Sequence, residues 1–154
     1  MDDRRLALLR RDLQDQWEII DRVFAKIADR NVGASPSAVQ VEALAYQLHN
    51  LYGACEQLFE LIARAFENQI DGATYHVDLL RRMKAEITGV RPALLTDGLG
   101  GRLNELRGFR HFFRHAYDSE LHSERVTALA ATALALRPEL RDSLDRFIAL
   151  LQAG

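Results

Sequence analysis

The sequence predicts an all-α protein, an up-and-down helical bundle of about five to six helices that forms one domain over residues 1–154. Apolar residues recur at steps of three and four along most of the chain, which is the spacing of one helix face. No stretch shows the strict alternation of a strand, and short segments with Gly, Pro or Asn interrupt the helical pattern. The 154 residues, 48% of them hydrophobic, are enough to enclose a core in a single domain.

Two long helices are predicted in the first half of the chain. The apolar stripe of the first extends over about residues 4–30. Ser35 followed by Pro36 predicts the start of the second helix, because proline is favoured in the first turn. We expect this helix to end near Gln69 and to carry Cys55 as a small core residue rather than as a reactive thiol.

Three or four further helices are predicted in the second half. A third helix is expected over about residues 75–87 and a fourth over about 99–117, with glycine-containing breaks between them. Ser123 is a favourable residue for the start of a fifth. Pro138 either kinks that helix or begins a sixth, and the last helix should end near Gln152.

Charge, cysteine content and hydropathy narrow the functional classes. The net charge of −2 is not that of a globally basic nucleic-acid binder, although a local basic patch remains open. A single cysteine forms no internal disulfide, which suits a reducing compartment. The longest strongly apolar run, residues 126–136, is shorter than the about 20 residues that span a bilayer, and no targeting segment is visible. We therefore expect a cytoplasmic protein with no membrane partner.

The fourth predicted helix carries an unusual cluster of arginine, histidine and tyrosine residues. Projected at about 100° per residue, Phe109, Phe112 and Phe113 share one arc, which we expect to face the core. The polar cluster occupies the remaining arc and is expected to avoid the core. It comprises Arg107, Arg110, His111 and Arg114, with His115 one turn after His111 and Tyr117 close to Arg110.

This cluster has three interpretations from its residues alone. It is compatible with a solvated helix face, since arginine-rich exposed faces are common. Zinc binding by His111 and His115 is disfavoured, because two ligands are too few and no further ligand motif is present, so no metal or cofactor is expected. The third interpretation is phosphate chemistry, because arginine binds phosphate oxygens in two-pronged fashion and histidine transfers protons near neutral pH. Cleavage of RNA by its own 2′-hydroxyl requires these two residue types.

Arg110, four intervening residues and then His115-Ala116-Tyr117 match the Arg-x4-His-x-Tyr motif of the HEPN superfamily. The sequence resembles specifically the HepT-like toxins of that superfamily. The resemblance extends over the first two long helices, residues 75–80 and the C-terminal part of the chain.

The resemblance implies a metal-independent endoribonuclease, the toxin of a type II toxin–antitoxin system, with an HEPN-like dimeric fold. Its antitoxin would be an MNT-type nucleotidyltransferase that attaches AMP to the motif tyrosine. Carried onto this chain, the motif assigns catalysis to Arg110 and His115 and modification to Tyr117. The residues His111, Arg114 and Arg107 would support the site or bind phosphate.

Helix geometry adds an expectation about assembly. Arg110 and His115 are about 140° apart on one helix, which is too far for both to reach one phosphate comfortably. A two-fold homodimer would bring Arg110 of one subunit near His115 of the other. One His115 would then take the 2′-hydroxyl proton, a protonated partner imidazole would assist the leaving oxygen, and Arg110 would neutralise the phosphorane.

Two other functions remain open from the sequence. One is a non-catalytic HEPN-type protein that binds nucleotide or presents substrate to a nucleotidyltransferase. The other is a structural helical interaction protein. Because Arg110 and His115 are both predicted to lie off the core face, alanine at either position is expected to change stability little.

Overall fold

The fold is an all-helical bundle, which confirms the predicted class. The computed structural model describes residues 1–31, 33–67 and 75–153, and within these ranges it contains five α-helices and no strand. The helices are α1 (Asp3–Arg30), α2 (Ala38–Phe66), α3 (Tyr75–Lys84), α4 (Asp97–Arg114) and α5 (Ser123–Ala153), with a 3-10 turn at Ala116–Asp118.

The second helix begins later than the sequence predicts. Its N-cap is Ser37 rather than Ser35, and the Ser37 hydroxyl accepts a hydrogen bond from the backbone N–H of Gln40 at 3.2 Å. The Gln40 side chain in turn accepts from the Ser37 N–H at 2.8 Å, which completes a capping box. Pro36 therefore lies before the cap instead of in the first turn. The predicted end near Gln69 falls outside the described residues, and α2 ends at Phe66.

The later boundaries also differ from the predictions. The third helix stops at Lys84, because Ile87 and Arg91 bond to each other across a turn in which Gly89 has a φ of +74°. The fifth helix continues through Pro138 without a sixth helix beginning there. Pro138 lies on the exposed face, so water can bind the carbonyl that loses its backbone partner.

The second helix is the central element, since it packs against all four other helices. Cys55 is fully buried on it, as predicted, and burial raises the pKa of its thiol to about 12.

A buried ion pair fixes the end of α2, where Glu67 accepts a hydrogen bond from Nη2 of the buried Arg91 at 2.6 Å. Arg91 also donates to three backbone carbonyls, so its buried charge is well compensated. Within the described ranges, no helix is both long and apolar enough to span a bilayer.

Candidate functional site

Arg110 lies on the core-facing side of α4, contrary to the prediction from the aromatic residues. The buried side chains of this helix include Leu99, Leu103 and Leu106, and Arg110 continues their spacing of three and four. Relative to Arg110, Leu106 and Leu103 project at about −40° and +20°, so the core face is centred near the arginine itself. Phe112, which was predicted to face the core, has 36% of its surface exposed.

The other two aromatic residues of this arc are buried only in part. Phe109 and Phe113 are partly buried and pack against the edge of the core, with their ring centroids 6.0 Å apart. The aromatic arc is therefore a border of the core-facing side, and the leucines form its centre. The prediction from the aromatic residues was wrong because the leucines one and two turns earlier, which are buried, define the core face of α4.

A buried carboxylate on α2 holds the guanidinium of Arg110. Nη1 of Arg110 donates to Oε1 of Glu56 at 2.9 Å, and the two side chains are 22% and 8% exposed. The guanidinium carbon also lies 5.9 Å from the ring centroid of Tyr52, one turn earlier on α2. Arg110 is thus fixed between α4 and α2 with part of its surface still open to solvent.

Tyr52 and His49 lie on the same side of α2 as Glu56 and form a polar stripe with it. Tyr52 is buried, and its hydroxyl has no hydrogen-bond partner among the described residues. Burial, and then the charge of Glu56, raise the pKa of Tyr52, so its phenol stays neutral. His49, Tyr52 and Glu56 are spaced three and four residues apart, so they lie on one face of the helix.

The imidazole of His49 packs on α4 beside Arg110. Its ring centroid is 5.1 Å from that of Phe113, with the planes inclined by 34°. Burial, then the positive charges of Arg110 and Arg114, lower the pKa of His49 below its ordinary value. Its Nδ1 is buried and has no hydrogen-bond partner in the described part of the chain.

Neither His49 nor Glu56 was among the site residues predicted from the sequence. The signal was present, because polar residues at positions 49, 52 and 56 form a helical stripe beside the apolar stripe of the same helix. What the sequence does not contain is the direction of that stripe. Only the packing of α2 on α4 shows that it faces Arg110.

His111 and the motif histidine, His115, are exposed neighbours, as their spacing predicts. The ring centroids of His111 and His115 are 4.9 Å apart. His115 is the C-cap of α4, where its backbone N–H donates to the carbonyls of Phe112 and Phe113. Among the described residues there is no group of three or more His, Cys, Asp or Glu side chains that could hold a metal ion.

The remaining predicted site residues lie at different depths around this end of the helix. Arg107 is half-buried and its Nε donates to Asn104 at 2.9 Å. Arg114 is exposed and lines a groove against the start of α2. Tyr117 lies in the 3-10 turn, lines the same groove and is 90% exposed. The structure therefore brings Arg114 and Tyr117 together, whereas Arg110 and His115 lie on different sides of α4.

A family model described as "HepT-like protein" matches residues 43–151, which is more than half of the chain. The chain belongs to the HepT-like family. The match confirms the resemblance to HepT-like proteins of the HEPN superfamily, and it contains the whole cluster from Arg107 to Tyr117 together with His49 and Glu56. Neither a curated protein nor a solved structure matches the chain. HepT-like proteins usually occur in toxin–antitoxin pairs, and the HEPN type is generally related to nucleases.

Proposed function

We propose that the protein is a metal-independent endoribonuclease that acts as the toxin of a type II toxin–antitoxin system. The observation that carries this proposal is the motif of Arg110, His115 and Tyr117 at the end of α4 in a HepT-like chain. Its arginine is held in place by the buried carboxylate of Glu56. RNA is the proposed substrate.

The chemistry needs a cation for the phosphate and an imidazole for the proton. A guanidinium has five N–H donors, and Arg110 makes one described hydrogen bond, to Glu56. Donors therefore remain for the oxygens of a phosphorane, whose negative charge grows in the transition state. His115 is exposed and can take the 2′-hydroxyl proton, a role worth about 10²–10⁴-fold in rate.

We infer a homodimer, because one subunit separates the two catalytic residues. Arg110 points toward α2, whereas His115 is exposed beyond the end of α4. A two-fold axis near this end would bring the His115 of one subunit to the Arg110 of the other. Sedimentation that gives an active monomer at tens of micromolar would contradict this assembly.

Neutralisation is assigned to an MNT-type nucleotidyltransferase that attaches AMP to Tyr117. The support is accessibility, since 90% of this side chain is exposed and a partner enzyme can reach its hydroxyl. Arg114 lines the same groove, so a phosphate attached there would find a cation close by. The adduct would occupy the groove and exclude the RNA backbone.

Incubation of the purified protein with mixed RNA in EDTA tests the proposed function. Cleavage by the wild type that is lost in His115→Ala supports the endoribonuclease. Nucleotide binding without cleavage would instead indicate the non-catalytic partner of a nucleotidyltransferase. Neither binding nor cleavage would leave only a structural interaction protein.

A further inference from the structure

The α2 face that holds Arg110 also carries an imidazole. We propose that His49 is a further catalytic residue of the RNA-cleavage site and accepts the 2′-hydroxyl proton beside the Arg110 of its own subunit. The proposal rests on the proposed endoribonuclease activity. It moves His115 from accepting that proton to protonating the leaving oxygen.

The first support is the placement of His49 on α2. His49, Tyr52 and Glu56 share one helix face over a length of about 10 Å. Arg110 contacts Tyr52 and Glu56, and Phe113, further along α4, contacts His49. The two helices therefore run antiparallel here, and His49 lies next to Arg110 toward the end of α4. A phosphate bound by Arg110 at this end would be close to the imidazole.

The second support is the environment of the two ring nitrogens. Nδ1 of His49 is buried without a partner among the described residues, whereas Nε2 is not among the buried unpaired atoms. Leaving a buried polar atom unpaired costs about 1–3 kcal/mol, and an apolar ring would fill this position without that penalty. The ring also packs against Phe113, and we assign Nε2, the nitrogen outside the buried unpaired set, to the substrate.

The charges around His49 suit a proton acceptor. Burial, and then the positive charges of Arg110 and Arg114 on α4, keep the pKa of His49 below its ordinary value. Tyr52 on its own helix stays neutral, and the carboxylate of Glu56 is engaged by Arg110. At neutral pH the imidazole is therefore uncharged and can take a proton.

The reaction step balances with these groups. The 2′-hydroxyl gives its proton to Nε2 of His49 as the 2′-oxygen forms a bond to phosphorus. The bond from phosphorus to the 5′-oxygen breaks, and that oxygen takes a proton from the imidazolium of a second subunit's His115. The products are a 2′,3′-cyclic phosphate and a 5′-hydroxyl, and water then returns both histidines to their starting protonation states.

The test compares His49→Phe with a matched control on the same helix. Phenylalanine keeps a ring against Phe113 and removes both nitrogens, so we expect the thermal midpoint to be preserved or raised. The single-turnover cleavage rate should fall by at least about 100-fold. The control is Gln47→Met, since Gln47 also carries a buried unpaired polar atom, Oε1, but projects to the opposite side of α2. We expect the control to cleave as the wild type does.

Two readouts separate catalysis from structure. Added imidazole should restore part of the cleavage by His49→Ala, because a free base can occupy the space that the side chain leaves. The acid limb of the pH–rate profile should also disappear in His49→Ala. A stable His49→Phe with wild-type activity would overturn the proposal, as would the absence of both rescue and any change in the pH profile.

A failure of the proposed function gives a different result. In that case the wild type leaves RNA intact, and Arg110→Lys and His115→Ala behave as it does. The place of His49 is then judged by the NMR signal of its imidazole on addition of an uncleavable 2′-deoxy oligonucleotide. A shift of that signal supports His49 as a phosphate-site residue, and an unmoved signal rejects it.

Discussion

Replacing Arg110 by alanine is expected to destabilise the protein, against the expectation from sequence. The change removes the guanidinium of Arg110 from beside the carboxylate of Glu56, whose side chain is only 8% exposed. Removing one partner of a buried ion pair costs about 3–5 kcal/mol. Because Arg110 is 22% exposed, water can enter the space that it leaves, which reduces the expected loss to about 2–3 kcal/mol.

Thermal unfolding followed by circular dichroism measures this loss. For a chain of this size the midpoint should fall by roughly 4–12 °C. His115→Ala is the matched comparison, because its side chain is exposed and its loss should change stability by less than about 0.5 kcal/mol. Adding Glu56→Gln to Arg110→Ala should recover part of the stability, because a glutamine amide does not carry the buried charge that Arg110 compensates. Equal midpoints for Arg110→Ala and the wild type would refute the ion-pair argument.

Three further predictions concern toxicity, modification and pH. Expression of the wild type should arrest growth, whereas His115→Ala at equal abundance on immunoblots should grow normally; growth arrest by this variant would exclude a catalytic imidazole there. Co-expression with the nucleotidyltransferase should add one AMP to the wild type and none to Tyr117→Phe by intact-mass analysis; AMP mapped to another residue would contradict the assignment. Burial alone would raise the pKa of Glu67, but hydrogen bonds from Arg91 and Arg82 hold this pKa below its usual range. The stability that Glu67 gains from these two arginines should therefore be present above about pH 4.5 and lost as the pH falls. Between pH 5 and 3, the denaturant midpoint of Glu67→Gln should decrease less than that of the wild type; identical decreases would refute this prediction.

The long helices could be predicted because their signals are local. The first helix was predicted over about residues 4–30 and is observed at Asp3–Arg30. The prediction succeeded because a periodic apolar stripe of about seven turns is specific to a helix. The start of α2 was displaced because two serines flank Pro36, and only the reciprocal bonds between Ser37 and Gln40 distinguish them. Helix boundaries therefore depended on cap geometry, which residue types alone specify weakly.

Only the part of the candidate site that lies on α4 could be predicted from the sequence. The motif on α4 was visible from spacing, and the neighbouring rings of His111 and His115 follow from it directly. Glu56 and His49 were missed, because their importance comes from a contact between helices more than fifty residues apart in sequence. Such a contact depends on the rotation of α2 about its axis, which is determined by packing against the other four helices at once.

The pairing of Arg110 with Glu56 also bears on how the site would work. A guanidinium held by a buried carboxylate keeps one orientation before substrate arrives, so little reorganisation is needed as phosphate charge develops. The same carboxylate competes with phosphate for the arginine. This competition weakens binding of the substrate more than binding of the transition state, because the phosphorane carries extra negative charge. Glu56→Gln should therefore lower KM for RNA and lower kcat as well, if it keeps Arg110 in place. A variant in which kcat rises while KM falls would show that Glu56 only restrains the arginine and does not orient it.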